Sequence, residues 1–334
     1  MDVRKPGPGS SLDTIVIGGS AGAFRTLKRA LEALPASLPA AVFVVLHTDP
    51  HSEVATHEVL GSGCSLPVRL ASDDQPIEPG TVTLAPRDAH LMLGEEHVHV
   101  RRGPRENGFR PSIDVLFRSA GVYRGPRAAG FILPGFLDDG AAGLFTLAKA
   151  GGQPFVQAPA DTDFPDMPAA ALNLVPEATI FGAEQLAAEI EAIAGVRVQD
   201  PGPLDDSTLL ELSIAGLECA TMADVRQLGS LSPYNCPDCS GVLWEIDEGG
   251  ARRYRCHTGH AYSEASLDKA QDEALERRLF DALRAHRGRA DMLFGMHERA
   301  TGDAARQRLK SRAESFRQDA LLLEDIIRRR KSAP

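Results

Sequence analysis

Three groups of residues in this 334-residue chain have the types and spacing that chemistry requires. The first is Gly18-Gly19-Ser20-Ala21-Gly22, a G-x-S-x-G pattern between an apolar run, Thr14–Gly18, and an amphipathic stretch that reaches Leu34. Small neighbours allow the tight strand-to-helix turn that lifts a serine hydroxyl above a sheet edge. N–H groups at the helix start stabilise negative charge there. The same turn also suits an anion-binding loop, because small-residue turns before helices cradle phosphates, or a turn with no chemistry at all. No Lys-Ser/Thr pair closes it, and G-x-G-x-x-G is not met.

A nucleophilic serine needs a base, and the base needs an orienting acid. Of the ten histidines, His47 stands out because it ends the apolar run Ala41–Leu46, a second buried strand. Groups that act on ligands in open α/β sheets gather beyond the carboxyl ends of the strands. By that criterion Asp138 and Asp139 are the candidate acids, since they follow Phe131–Gly135 and precede a helical stretch at Ala141. His97 and His99 alternate in a strand-like HVHV and read as surface residues, and His51, His57 and His90 have no comparable setting. The order Ser, His, Asp argues against an α/β-hydrolase, whose acid precedes its histidine.

The third group is Cys236-Pro-Asp-Cys239 and Cys256-His-Thr-Gly-His260, with 16 residues between the two pairs. Two short ligand pairs joined by a β-hairpin point to a zinc ribbon, ligated by Cys236, Cys239, Cys256 and His260. His257 is a substitute for His260 but a poor chelate partner beside Cys256, and an unmetallated ribbon or a redox thiol pair is the competing reading. With all four positions filled by protein, the zinc would be structural, and no cofactor is expected for catalysis. Chelation is expected to unfold this module and leave the chemistry elsewhere intact. Cys64 and Cys219 are isolated and read as small buried hydrophobes.

The elements that must position these groups follow from composition and pattern. Apolar residues make up 43% of the chain and charged residues 25%, as in a globular protein with a real core. No apolar run approaches a membrane span and no signal peptide is visible, so a cytoplasmic protein without membrane insertion is expected. The net charge of -10 is uneven: from Ala251 onward there are 19 Lys/Arg against 13 Asp/Glu, so the remainder carries 17 against 33. That excludes a uniformly basic nucleic-acid binder, and no nucleic-acid partner is expected.

Continuous apolar runs at Thr14–Gly18, Ala41–Leu46, Thr81–Ala85, Ala128–Leu133 and Pro154–Val156, separated by helical stretches, predict a parallel sheet covered on both faces. Residues 12–195 form the expected α/β catalytic domain, 196–231 a linker, 232–263 the ribbon and 264–331 a helical hairpin. In the last segment Leu309, Ala313, Phe316, Ala320, Leu323 and Ile327 recur at heptad spacing, with Leu275, Leu279, Ala282, Leu293 and Met296 on a similar face before the Gly302 break. Intramolecular pairing suits this stripe first; self-association or receptor contact through these helices is the alternative.

The assembly of VIGGSAGA, VFVVLHTDP, IEPGTVTLAPRDAHLML, GPRENGFRPSIDVLFRSA, ILPGFLDDGAAGL and FPDMPAAAL, in that order over residues 12–195, resembles the catalytic domain of the chemotaxis protein-glutamate methylesterases (CheB). The resemblance implies a three-layer α/β/α, Rossmann-like domain and a Ser-His-Asp triad. Ser20 falls on its nucleophile, His47 on its base and Asp139, rather than Asp138, on its acid. The backbone at Ala21 and Phe136 falls on the oxyanion region. The implied activity is hydrolysis of γ-glutamyl methyl esters on methyl-accepting chemoreceptors, with deamidation of receptor glutamines. The alternatives are the same chemistry on another methylated signalling protein, or an idle scaffold that keeps the fold. Family members commonly begin with a phosphorylated receiver domain. Only about a dozen residues precede the first strand here, so neither that domain nor its control in cis is expected. Ala23, Pro134 and Phe136 depart from the residues usual in the family.

Overall fold

The computed structural model describes residues 10–48, 55–199, 206–216, 228–248 and 251–330. Cys219 and His51 lie outside them. The chain divides into two compact units, residues 1–267 and 268–334.

The centre of the first unit is a seven-stranded sheet. Its strands are β1 (Thr14–Gly19), β2 (Ala41–Leu46), β3 (Val68–Leu70), β5 (Val82–Leu84), β8 (Ala128–Ile132), β9 (Gln153–Gln157) and β10 (Thr179–Phe181). The order is β10-β9-β8-β1-β2-β5-β3, and every pairing is parallel. A three-stranded antiparallel sheet is formed by β4 (Gln75–Pro76), β6 (His90–Leu93) and β7 (His97–Arg101). The two edge strands β3 and β10 are three residues each, too short to register as apolar runs in the sequence.

Alternation along the strands feeds two cores. Ile15 and Ile17 of β1 with Val42 and Val44 of β2 face one side, where α1 (Ala23–Ala33) and α6 (Leu186–Ile193) supply Leu27, Leu31, Leu186 and Ile190. Val16, Phe43 and Val45 face the other side, against Leu116 and Phe117 of α3 (Ile113–Arg124) and Leu144 and Leu147 of α4 (Ala141–Lys149). A parallel sheet must be covered on both faces, which is why its strands read as unbroken apolar runs rather than alternating ones. The chain leaves β1 toward β2 on one side and later builds β8 on the other. Such a reversal opens a crevice at the carboxyl ends of the strands.

Within 196–231 the structure forms α7 (Asp206–Ala215). A four-stranded antiparallel sheet follows: β11 (Ser230–Asn235), β12 (Val242–Glu248), β13 (Ala251–Cys256) and β14 (Ala261–Ser263). This sheet packs within the first unit through a buried ion network. Arg255 of β13 donates to Glu106 at 2.8 Å and reaches Glu211 of α7 at 3.5 Å, and Arg253 pairs with Glu211. Arg118 of α3 bridges both acids, at 3.2 Å to Glu106 and 3.3 Å to Glu211. Burial alone pushes these carboxyls up, but the surrounding guanidiniums hold both below the ordinary carboxylate value.

The second unit holds the part of the helix Glu264–Arg299 that follows residue 267, and the helix Asp303–Arg330, with Gly302 at positive φ between them. Leu283, Ala320 and Ile327 form its core, joined by Leu279 and Leu323. On the first helix the buried stripe runs through Leu283, Ala290 and Leu293, whereas Leu275 and Met296 of the expected face are exposed. Among the described residues, no helix is long and apolar enough to cross a membrane.

Candidate active site

Ser20, His47 and Asp139 emerge from the carboxyl ends of β1, β2 and β8, three adjacent strands of the sheet. Register brings the first two together: Gly19 pairs with Leu46, and the His47 N–H donates to the Gly19 carbonyl at 2.9 Å, so Ser20 and His47 are the next positions on neighbouring strands. The serine turn is pressed from the β8 side by Gly135. A Cβ there would lie 2.6 Å from the Ser20 Cβ and would also meet the Met167 sulfur, so only glycine permits this approach. Ser20 N–H donates to the Pro134 carbonyl, and Gly135 N–H to that of Phe164. The Ala21 and Phe136 N–H groups have no backbone acceptor among the described residues. Phe136 is 55% exposed, its ring edge-on to Phe164.

His47 Nε2 lies 3.1 Å from Asp139 Oδ2, with the two side chains 7% and 0% exposed. Neither ring nitrogen has a fully aligned hydrogen bond, a common state of catalytic pairs before substrate binds. The imidazole is stacked on Phe109, centroids 3.8 Å apart and planes 11° from parallel.

Asp139 is held by a web of donors. It accepts from Ser112 Oγ at 2.8 Å, Ile113 N at 2.7 Å, Asp114 N at 3.4 Å and Asn107 Nδ2 at 3.1 Å. It therefore caps the N-terminus of α3, where the helix dipole favours an anion. Asp114, in the first turn of α3, returns the arrangement by accepting from Gly140 N at 2.9 Å and Gly143 N at the start of α4. Each carboxyl thus caps the helix that the other belongs to or precedes. Burial pushes Asp139 up, but the facing His47 and the donors from Ile113 and Ser112 outweigh it and hold the group below the ordinary carboxylate value. Asp114, buried beside the Asp139 charge, is pushed up to about 7. Asp138, the other acid considered from sequence, is raised by burial and faces the Ser263 hydroxyl rather than His47.

His90 lies behind this web. It accepts from Ser112 N at 3.2 Å on Nδ1 and has Nε2 2.8 Å from the Pro104 carbonyl, an arrangement that requires the neutral Nε2–H form. Burial lowers its pKa, in keeping with that form. A cleft of about 820 Å³ reaches His47 but not Ser20, and His57, Arg87, Arg105, Phe109 and Arg110 line it. Asn107, Phe109, Ser112 and Gly135 escaped the sequence reading because their types are ordinary. Only Asn107-Gly108 carried a signal, as a tight-turn dipeptide.

The CheB methylesterase family model matches residues 15–190, more than half of the chain and all three of these strand ends. The chain belongs to the CheB methylesterase family. It is 40% identical over 180 residues to the protein-glutamate methylesterase/protein-glutamine glutaminase 1 of Bordetella avium, covering 54% of this chain and 53% of that protein. Against the corresponding enzyme of Salmonella typhimurium it is 34% identical over 197 residues, 57% of this chain and 56% of the relative. The chain spans about half the length of the curated relatives it matches. The crystal structure of the Thermotoga maritima CheB methylesterase catalytic domain aligns over its whole length with 55% of this chain, at a TM-score of 0.52 and 26% identity. The CheB match ends well before the cysteine-bearing sheet.

In that sheet, the ligand atoms of Cys236, Cys239, Cys256 and His260 all lie within 4.8 Å of one another. Cys239 and Cys256 sulfurs are 3.6 Å apart, and His260 Nδ1 is 3.7 Å from Cys236 Sγ and 3.5 Å from Cys256 Sγ. A tetrahedral zinc with bonds of about 2.3 Å to sulfur and about 2.0 Å to nitrogen sets ligand edges of roughly 3.8 and 3.5 Å, so the donor set fits that ion. Two turns present the ligands: Cys236 N donates to Gly241 O, and Cys256 N to His260 O.

Proposed function

We propose that this chain is a serine esterase that removes methyl groups from γ-glutamyl methyl esters of methyl-accepting chemoreceptors, with deamidation of glutamine side chains as a second reaction of the same site. The convergence of Ser20, His47 and Asp139 on adjacent strand ends, with His47 Nε2 3.1 Å from a buried Asp139, carries the reading. The names of the relatives supply the reacting groups, protein glutamate methyl esters and protein glutamines, and the resemblance to the chemotaxis methylesterases supplies the chemoreceptor.

In this reading Nε2 of His47 faces the acid, so Nδ1 serves the nucleophile. Ser20 Oγ attacks the ester carbonyl carbon while its proton passes to His47. The N–H groups of Ala21 and Phe136 meet the oxyanion. His47 then returns the proton to the methoxy oxygen, methanol leaves, and a γ-glutamyl ester remains on Ser20. Water adds to that ester and gives a proton to His47, which passes it to the departing Ser20 oxygen; the glutamate carboxyl is freed. With glutamine the leaving group is ammonia. The guanidiniums of Arg87, Arg105 and Arg110 suit a substrate segment rich in glutamate, although Asp88 partly neutralises them, at 2.6 Å from Arg110.

Methanol release from methylated chemoreceptor membranes tests this. The full chain should release methanol and Ser20→Ala should not; equal release by both would overturn the esterase assignment.

The Cys236, Cys239, Cys256 and His260 cluster we assign to a structural zinc. Four protein ligands leave no open coordination position, so the ion would contribute folding stability and no catalytic step. Elemental analysis should find about one zinc per chain, lost on Cys256→Ser.

A further inference from the structure

One four-residue turn reaches both the base and the acid of the site. Glu106 and Phe109 exchange backbone hydrogen bonds, at 3.2 and 2.8 Å, across Asn107 and Gly108, whose φ angles are 52° and 81°. Two successive positive φ values are the mark of the tightest hairpin turn, which Asn-Gly adopts with little strain. From this turn Phe109 stacks on His47 and Asn107 donates to Asp139.

The turn is held from the side of the cysteine-bearing sheet. Asn107 N–H donates to the Ala261 carbonyl at 2.8 Å, and Ala261 N–H to that of Arg105 at 3.2 Å, so the segment lies along β14. Glu106 accepts from Arg255 of β13. The Asn107 side-chain oxygen Oδ1 accepts from Ser263 N and from Ser266 Oγ, each at 3.0 Å. The Ser263 N–H can only donate, so the amide oxygen must face it, and the NH2 must face Asp114 and Asp139, at 2.8 and 3.1 Å. Every polar atom of this buried amide is therefore used, half toward the site and half toward β14 and the helix start after it. β14 begins directly after His260, one of the clustered ligands.

We propose that Asn107 is a positioning residue for Asp139, and that residues 261–266 complete the acid end of the site by holding its amide. The proposal rests on the reading of Asp139 as the triad acid. It makes the region beyond the family match part of the catalytic geometry rather than an appendage to it.

The test uses the full chain with methanol release and NMR of the downfield imidazole N–H proton that a His–carboxylate pair produces. Asn107→Ala should lower kcat about 10- to 100-fold with little change in KM, and should weaken that resonance, as loss of an orienting hydrogen bond does at other sites. Asn107→Asp keeps the acceptor for Ser263 and Ser266 but turns the donor toward Asp139 into an acceptor. Its rate should be low at neutral pH and recover relative to the parent as pH falls and the new carboxyl regains a proton. Ser266→Ala, a milder change beyond the family match, should lower kcat several-fold and shift the same resonance while the chain stays folded. Parental kcat and resonance in Ser266→Ala and in a folded Asn107→Ala would overturn the inference. Ser20→Ala is the control that separates the two readings: if it stays active the esterase reading falls, and if it is silent while the Asn107 and Ser266 variants behave as the parent, only the positioning role falls.

Discussion

The two ends of the candidate triad are built in different ways. The nucleophile end is local: five consecutive small residues, Gly18 to Gly22, make the turn, and one glycine from the next strand, Gly135, closes on it. The acid end is assembled from four separated segments, with Asp139 held by Asn107, Ser112 and Ile113, and Asn107 held in turn by Ser263 and Ser266. A local turn survives changes elsewhere in the chain, whereas a web of buried polar groups has the geometry of its least secure member. Partial satisfaction of such a web costs more than its absence, because each orphaned group keeps its desolvation penalty.

The comparison is broken most severely at its local end. Ser20→Ala should lower turnover by three or more orders of magnitude while leaving urea unfolding unchanged, since the hydroxyl supports no packing. Loss of stability together with activity would show that the turn depends on that side chain. Next in size is Arg255→Ala at the distributed end. It leaves Glu106 and Glu211 short of a buried partner and should cost about 3–5 kcal/mol in unfolding free energy. Activity should fall with it, because the turn bearing Asn107 and Phe109 loses its anchor. A stable but inactive variant would sharpen the picture further.

Chelation is the third probe. The sequence led us to expect a zinc module whose loss spares catalysis, but the hydrogen bonds from residues 261–266 to Asn107 argue for the opposite outcome. Methanol release by the full chain should drop on metal removal and return on adding zinc. Undiminished release from metal-free protein would restore the independence of the two regions.

The smallest effect lies in the pH dependence of stability. The folded chain keeps the Asp114 proton up to about pH 7, whereas an unfolded carboxyl releases it near 3.8. This group's contribution to stability therefore falls as pH rises from about 4 to about 7 and is level above that. Asp139, Glu106 and Glu211 act in the other direction: their lowered values add stability above the unfolded carboxylate pKa, lost as pH falls through the folded one. Asp114→Asn should flatten the slope between pH 4 and 7 in a series of urea melts and leave the acid limb in place. An unchanged slope would remove Asp114 as its source.

Much of the fold was legible. The five expected apolar runs are strands of the parallel sheet, because burial on both faces forces unbroken apolar sequence. β3 and β10 were missed because three residues carry no period, and α7 was read as linker because Asp-Asp-Ser-Thr resembles a loop until Glu211 finds its arginines. On the first long helix, apolar side chains at Leu275 and Met296 stay exposed while Leu283 and Ala290 are buried. Helical spacing there is compatible with more than one face, and the facing helix selects among them.

By itself the sequence determined what short-range physics can encode: the small-residue serine turn, the apolar strands that end in Ser20 and His47, and the two ligand pairs spaced for tight turns. These depend on backbone sterics and on periods of a few residues. The tertiary structure alone decided that Asn107 holds Asp139 while bonding to Ser263, 156 residues further along the chain, and that Arg255 is buried against Glu106. Those outcomes depend on where water is excluded, and a buried polar atom takes the partners that the folded chain brings within about 3 Å, whatever their distance in sequence.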